Sequence, residues 1–456
     1  MKTIVIAGAA SGVGKTTIAV GLMAALAGRG LKVQPFKAGP DYIDPSHHTR
    51  ATGTFSRNLD TWLLPGQAVV ELFVRAQNGR DIGVIEGVMG LFDGSSPLSN
   101  EGSTAEIAEM LGAPVLLVLD ASGTCRSLGA MVKGYAGFAP QLHLAGVILN
   151  NIGSENHFSL CKQAIEGSTG VPALGYLPKR QDLAQPERHL GLVPAAEKPA
   201  TQEYLDQLAA QCQATMVIER ILALAEHTSP GTTELPSIFP DHPLPAMATI
   251  AIARDMAFSF YYQDGLDLLA AWGAELAPFS PLDDGALPAG TNGLYLGGGF
   301  PELYADRLEA NVSMRRAVLD AAQAGMPVYA ECGGLMYLGR SVRDFHGTLR
   351  RMAGVIPASS RIDRPALNLG YRTVTALTDG PLLEKGETVR GHEFHWSVLE
   401  DSPGGNAYEI AGRGRSIEGF TVKNTLASYV HLHIGSRPAM ARRFIRNCRL
   451  FREGRL

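Results

Sequence analysis

Through about residue 178 the chain repeats one pattern, a short apolar run rich in β-branched residues followed by a longer stretch of helical periodicity. KTIVIAG, LKVQPFK, IGVIEG, PVLLVLD, LAGVILN and VPALGYL are nearly continuous apolar runs, as expected of strands whose two faces are both covered by helices. Strands alternating with helices predict a parallel α/β sheet. From about 190 to 247 the pattern changes. ATQEYLDQLAAQCQATMVIERILALAEH reads as helical, and HTSPGTTELPSIFPDHPLP is rich in Pro, Ser and Thr, like a linker.

A second α/β series then begins. ATIAIARD, AELAPFSP, GLYLGGG and MPVYAEC are expected strands, with GLDLLAAWG and MRRAVLDAAQAG as helices between them. HGTLRRMAGVIP, GYRTVTAL, GHEFHWSV and SYVHLHI read as further strands extending the same sheet. The fold class is therefore α/β in two domains. Their expected bounds are 1–190 for the first domain, 191–247 for a helical segment and linker, and 248–456 for the second domain.

Length agrees, since 456 residues exceed the roughly 250 to 300 at which one hydrophobic core stops growing. With 45% hydrophobic and 18% charged residues the composition is that of a globular protein. A formal charge of −4 gives no basic field for nucleic acid or an anionic membrane. Met1-Lys2-Thr3 runs straight into a strand without the apolar segment of a signal peptide. No apolar run reaches the length of about 20 residues that spans a bilayer, so a soluble, cytoplasmic protein is expected. Cys125, Cys161, Cys212, Cys332 and Cys448 are scattered without a CxxC pair, which argues against a disulfide framework or structural zinc.

The strand KTIVIAG runs into Gly8-Ala9-Ala10-Ser11-Gly12-Val13-Gly14-Lys15-Thr16-Thr17 and then a helical run. Such a loop turns backbone N–H groups toward phosphate oxygens, its lysine reaches the terminal phosphates, and the next hydroxyl holds Mg²⁺. Gly12, Gly14, Lys15, Thr16 and Thr17 are thus the expected ATP phosphate binders. The spacing is the longer GxxxxxGKT form, because Ala9 stands where a Walker loop has its first glycine. Lys37 ends the second strand run and is placed to offset charge on a transferring phosphoryl group. Asp41, Asp44 and Glu86 follow strand ends on the same edge, so Thr16, Asp41 and Glu86 are the candidate Mg²⁺ ligands. Asp41, Tyr42, Asp44 and Asp93 are candidates for substrate orientation or phosphoryl transfer, although Asp beside Gly and Pro also serves as a turn or cap residue. Asn150 and Asn151 end the fifth strand run and are candidates for reading adenine or for capping a loop.

MPVYAECGGLMYLG places Cys332 between a strand and a helix with Gly333 and Gly334 after it. A nucleophile on such a turn stands above the sheet, and the helix N-terminus is expected to lower its pKa. The N–H of Gly333 would hold an oxyanion, with a second donor from the Gly297-Gly298-Gly299 turn, at Gly298 or Gly299. The base is expected to be a distant histidine. His431 and His433 stand at period two and would face the same side of a strand. His392 and His395 are weaker candidates, and the H-x-H pair also suggests metal.

GAASGVGKTT, FKAGPDYIDP, RNLDTWLL, GVMGLFDG, GGGFPE, YAECGGLMYL, GHEFHWS and SYVHLHI follow one another in the order found in the cobyrinic acid a,c-diamide synthases, and the resemblance covers essentially the whole chain. It implies a dethiobiotin-synthetase-like ATP-binding domain joined to a class I, triad-type glutamine amidotransferase domain. The implied reaction amidates the a and c acetate groups of a corrin polycarboxylate in cobalamin biosynthesis, using two glutamines and two ATP with Mg²⁺, and a homodimer is one arrangement it allows. By resemblance Cys332 is the nucleophile and His431 its base. Many triad glutaminases carry an acid two positions after the histidine. Here His433 occupies that place, which leaves open both the third member and which of the two histidines, His431 or His433, acts as the base. Cobyric acid synthase, a nickel sirohydrochlorin a,c-diamide synthase and a non-enzymatic nucleotide switch are the alternatives. Ammonia passing from one domain to the other must be unprotonated, so a shielded route is expected.

Overall fold

The computed structural model describes residues 1–180, 187–188, 191–192, 201–225, 237–344, 346–362, 367–411 and 416–456. It divides into two compact units, Met1–Leu235 and Pro236–Leu456. In the first, seven parallel strands are ordered β3-β2-β4-β1-β5-β6-β7. These are β1 (Thr3–Gly8), β2 (Val33–Ala38), β3 (Arg57–Leu59), β4 (Ile82–Glu86), β5 (Val115–Asp120), β6 (Leu144–Ile152) and β7 (Ala173–Pro178). Every residue of β1, β2 and β4 is buried, which is why their sequences read as unbroken apolar runs.

Helix α1 (Lys15–Gly28) starts at the glycine-rich loop and buries Ile18, Leu22, Met23 and Leu26 against the sheet. Helix α2 (Ile43–Thr52) follows β2. The helices α3 (Gly66–Gln77), α4 (Thr104–Leu111), α5 (Arg126–Phe138) and α6 (Glu155–Thr169) fill the later crossovers. A capping pair starts α4, in which the Ser103 hydroxyl accepts the Glu106 N–H at 3.2 Å and the Glu106 carboxylate accepts the Gly102 N–H at 2.7 Å. Helices α7 (Gln202–Thr215) and α8 (Ile218–Leu224) cover the segment grouped with the linker in the sequence, yet they belong to the first unit. Leu205, Leu208, Cys212 and Ile221 join the core around α1, and the Cys212 sulfur and Leu208 lie against Gly21 of α1. The Pro- and Thr-rich stretch 226–236 lies outside the described residues.

The second unit centres on a six-stranded sheet ordered Ala274–Phe279, Ala248–Ala253, Thr291–Leu296, Val328–Glu331, Thr425–Ser428 and Phe420–Val422, all neighbours parallel except the last pair. The later runs do form strands, but not as an extension of this sheet. Ser341–Arg343, Leu349–Arg351, Ser359–Ile362 and Ser397–Glu400 make a separate four-stranded sheet. Asn368–Ala376, Thr388–His395, Tyr408–Ala411, Ser416–Glu418 and His431–Leu432 make a five-stranded one. Their pairing is largely antiparallel and many of their residues are only partly buried. Among the described residues no helix is long and apolar enough to cross a membrane.

Replacing Leu208 by Ala should cost about 3 kcal/mol in urea unfolding of the full chain, because the side chain is fully buried and its cavity can close only partly. A loss below about 0.5 kcal/mol would mean that α7 is not part of the first core.

Candidate functional site

In the first unit, Ser11, Gly12, Gly14, Lys15, Thr16 and Thr17 line a cleft of about 340 Å³ with Lys37, Asp41, Asp44 and Glu86. Gly14 has φ 92°, in the left-handed region that disfavours any side chain. A Cβ there would also collide with the Asn150 side chain. Asn150 donates instead to the Val13 carbonyl at 3.0 Å, so it fastens the loop from β6 rather than facing a nucleobase. Asn151 donates to Asp120 at 3.1 Å. The Lys15 ammonium folds back to the Ala10 carbonyl at 3.0 Å. Burial first, and the nearby Lys37 charge second, lower its pKa to about 8.

Glu86 is the hub of this cleft. It has no exposed surface, and its Oε1 receives Thr16 Oγ1 at 2.6 Å and Lys37 Nζ at 3.0 Å. Its Oε2 lies 2.5 Å from His48 Nε2. Burial works against the charge on Glu86, but Lys37 and His48 outweigh it and hold the carboxyl well below its usual range. Burial likewise opposes the Lys37 ammonium, and Asp44 at 2.6 Å together with Glu86 more than offsets that. The sequence gives no local sign of His48, because its partner lies 38 positions away and on another element. Ser56 Oγ fixes its other nitrogen at 3.2 Å.

The remaining acids are less central. Asp41 Oδ1 caps α2, accepting the Ile43 and Asp44 N–H groups at 2.7 and 3.3 Å. Burial, then the neighbouring Asp44 carboxylate, push its pKa up to about 7. Asp93 holds a turn by accepting the Gly90 N–H at 3.0 Å, and neither it nor the buried Tyr42 is among the cleft-lining residues.

In the second unit, Cys332 follows the strand Val328–Glu331 at φ 47°, just before the helix Gly333–Leu338. A non-glycine residue held there is strained, as at other strand-to-helix nucleophile turns. The Cys332 N–H is anchored to the Ser428 carbonyl at 2.7 Å. The thiol pKa is not lowered as the sequence suggests. Burial, followed by the Glu302 charge, pushes it above the ordinary value, and the Gly333 N–H offsets only part of this.

The turn after Thr291–Leu296 ties the histidine to this cysteine. A Cβ on Gly298 would stand 2.6 Å from His431 Cε1, and a Cβ on Gly333 would stand 3.1 Å from the Gly299 nitrogen. The Gly298 N–H is turned to the Phe260 carbonyl at 3.3 Å, so of the two turn glycines only Gly299 is left as a candidate donor beside Gly333. His431 and His433 belong to one aromatic cluster, His433 lying on Tyr262 with ring centroids 4.7 Å apart and Tyr262 in turn meeting His392. The strand ends at Leu432, and His433 caps the following turn with Nδ1 accepting the Gly435 N–H at 3.0 Å. That bond puts the His433 proton on Nε2. His392 stacks on His431 with ring centroids 4.9 Å apart and meets the Tyr262 hydroxyl at 3.2 Å. His395 stacks on Tyr429. Among the described residues no group of three or more His, Cys, Asp or Glu side chains is arranged to hold a metal ion.

Two family models match, the CobQ/CobB/MinD/ParA nucleotide binding domain over residues 4–193 and the CobB/CobQ-like glutamine amidotransferase domain over residues 249–439. A relative in Dehalococcoides mccartyi (strain CBDB1), named cobyrinate a,c-diamide synthase, is 46% identical over 97% of this chain and 97% of its own. The chain belongs to the cobyrinate a,c-diamide synthase family. Another relative of that name, in Priestia megaterium, is 43% identical over 100% of this chain and 98% of its own. A hydrogenobyrinate a,c-diamide synthase in Streptomyces coelicolor is 41% identical over 98% of this chain and 97% of its own. The two matched ranges lie within the phosphate-loop unit and the Cys332 unit respectively.

His433 is fully buried, and burial lowers its pKa to about 3. The unfolded imidazole protonates near 6.5, so the stability it confers is complete above that value and is lost as pH falls toward about 3. Its NMR signals should not titrate between pH 5 and 8, whereas a midpoint near 6.5 would place the ring in water.

Proposed function

We propose that this chain is an ATP- and glutamine-dependent a,c-diamide synthase acting on a cobyrinate-type corrin polycarboxylate. The observation that carries this reading is the presence in one chain of a lysine-bearing phosphate loop over a cleft of acids and a strained cysteine turn that adjoins a glycine turn faced by a buried histidine. A nucleotide switch has no use for the second feature.

Cys332 acts as the nucleophile and His431 as the base. The thiol proton passes to the imidazole, and the sulfur attacks the glutamine amide carbon. The resulting oxyanion is received by the Gly333 N–H and the Gly299 N–H. Collapse expels ammonia, which takes the proton back from the imidazole, and water then hydrolyses the glutamyl thioester. Because burial disfavours a free thiolate, the imidazole rather than water is the acceptor of the thiol proton.

The first unit turns a carboxylate into an electrophile. Resonance and negative charge make a carboxylate carbon unreactive toward ammonia, and transfer of the ATP γ-phosphoryl group to one oxygen converts that oxygen into a leaving group. Gly12 and Gly14 present loop N–H groups to the phosphates, Thr17 lies beside them, and Lys15 leaves the Ala10 carbonyl to reach the terminal phosphates. Lys37 sits across the cleft, where it neutralises the moving phosphoryl group.

The oxygen donors fit Mg²⁺, since the Thr16 hydroxyl and Glu86 carboxylate converge at the loop, and this ion commonly takes one or two carboxylates with phosphate and water completing its shell. Thr16 and Glu86 would hold it, with the second oxygen of Asp41 nearby, and it would neutralise charge on the phosphates. Asp44, through its ion pair, fixes Lys37. Ammonia then displaces phosphate to give the amide, once at each of the two acetate groups.

Replacing Cys332 by Ala should reduce glutamine-dependent amidation at least about 1,000-fold while leaving ammonium-dependent amidation within about twofold, measured with cobyrinate and hydrogenobyrinate in parallel. Retained glutamine use would remove Cys332 from the reaction, and turnover of neither ring would remove the proposed substrate class.

A further inference from the structure

The place held by an acid in many triad glutaminases is taken by His433, which cannot serve as an anion. It is buried and its Nδ1 is committed to Gly435. A carboxylate does stand beside the base, and it comes from the residue before the nucleophile. Glu331 is 1% exposed and ends the strand Val328–Glu331. Its Oε1 accepts the Leu432 N–H at 2.8 Å and the Tyr329 hydroxyl. Its Oε2 accepts the Tyr295 hydroxyl at 3.0 Å and lies 3.7 Å from His431 Nδ1. The other edge of that imidazole, with Cε1 and Nε2, faces Gly298, where a Cβ would stand 2.6 and 3.5 Å from the two atoms. The ring therefore has its Nδ1 side toward a fixed anion and its Nε2 side toward the glycine turn that adjoins Gly333.

We infer that Glu331 is the positioning residue of the glutaminase, orienting His431 through Nδ1 and offsetting the positive charge that develops when Nε2 takes the thiol proton. This rests on Cys332 and His431 being nucleophile and base. In the step concerned the S–H bond breaks, its electron pair stays on sulfur, and the proton bonds to Nε2. Like the acid of a serine-protease triad, Glu331 neither gives nor takes a proton in this step. Three hydrogen-bond donors hold its charge in place, so the carboxylate is oriented before the reaction and need not reorganise during it.

The other titratable groups around the imidazole are His392 and His395 of the strand Thr388–His395 with Glu393 between them, His433, Tyr262, Tyr295, Tyr329 and Cys332. Burial holds His392, His395 and His433 neutral at pH 7, and Glu393 is engaged by Arg372 at 2.6 Å. Glu331 lies within ion-pair distance of His431.

The test is the full-length Glu331→Gln variant, assayed for glutaminase activity across pH. Its kcat should fall at least about 100-fold with the glutamine KM within about threefold, and ammonium-dependent amidation should stay within about twofold as a check on folding. The limb of the pH profile that belongs to the imidazole should move to lower pH by more than about half a unit, since the imidazolium loses its counter-charge. Tyr295→Phe should move the same limb to higher pH, because a carboxylate that has lost a donor attracts the imidazolium more strongly. This second variant decides the matter if Glu331→Gln does not fold. An unmoved limb in the folded variants would overturn the role of Glu331. Glutaminase activity surviving in Cys332→Ala would instead overturn the reading of the site on which that role rests.

Discussion

A carboxylate taken out of water at the end of a strand has to be met by fixed donors or cations, because leaving it uncompensated costs several kcal/mol. Both units are organised around one such group. Glu86 ends β4 and is met by Thr16, Lys37 and His48. Glu331 ends Val328–Glu331 and is met by Tyr295, Tyr329 and the Leu432 N–H, with His431 beside it. Apart from Tyr329, which lies on the same strand as Glu331, the partners come from distant parts of the chain, so satisfying each anion fixes several elements at once. The groups gathered in this way are those the proposed chemistry would use: a hydroxyl of the phosphate loop, the lysine near the end of β2, and the imidazole of His431.

The resting electrostatics of the two sites also agree in kind. Lys15 is lowered to about 8 and tucked against its own loop, and the Cys332 thiol is raised by burial. Neither group is stabilised in its reactive charged form before substrate arrives. For the thiol this limits idle reaction with other electrophiles, since the thiolate is the reactive species. For the lysine, whose charge burial and Lys37 disfavour, an incoming polyphosphate supplies further compensating negative charge.

Much of this could be read from the sequence where the signal was local. The strands of the first unit, the loop ending in Lys15 and Thr16, and the turn holding Cys332 are contiguous patterns, and they form as expected. The groups that were missed are held by long-range contacts. His48 meets Glu86 across 38 positions and Glu331 meets the Leu432 N–H across 101, and no spacing rule reaches that far. Period-two spacing brings His431 and His433 into one cluster with His392 and Tyr262, but it could not show that His433 caps the turn after Leu432. The expectation of a lowered thiol pKa weighed the helix terminus and could not weigh burial. Helix α7 was grouped with the linker because its fully buried face is small, and only its packing on α1 reveals where it belongs.

The account stands on nitrogen leaving glutamine in one unit and joining an ATP-activated carboxylate bound to the other. The most direct measurement is mass spectrometry of the product formed from cobyrinate, ATP and glutamine labelled with ¹⁵N in its side-chain amide, in the presence of unlabelled ammonium. The predicted product carries two labelled amides, with ADP and glutamate formed in step with each. A product whose amide nitrogens are unlabelled, or ADP released without any amide, would contradict it.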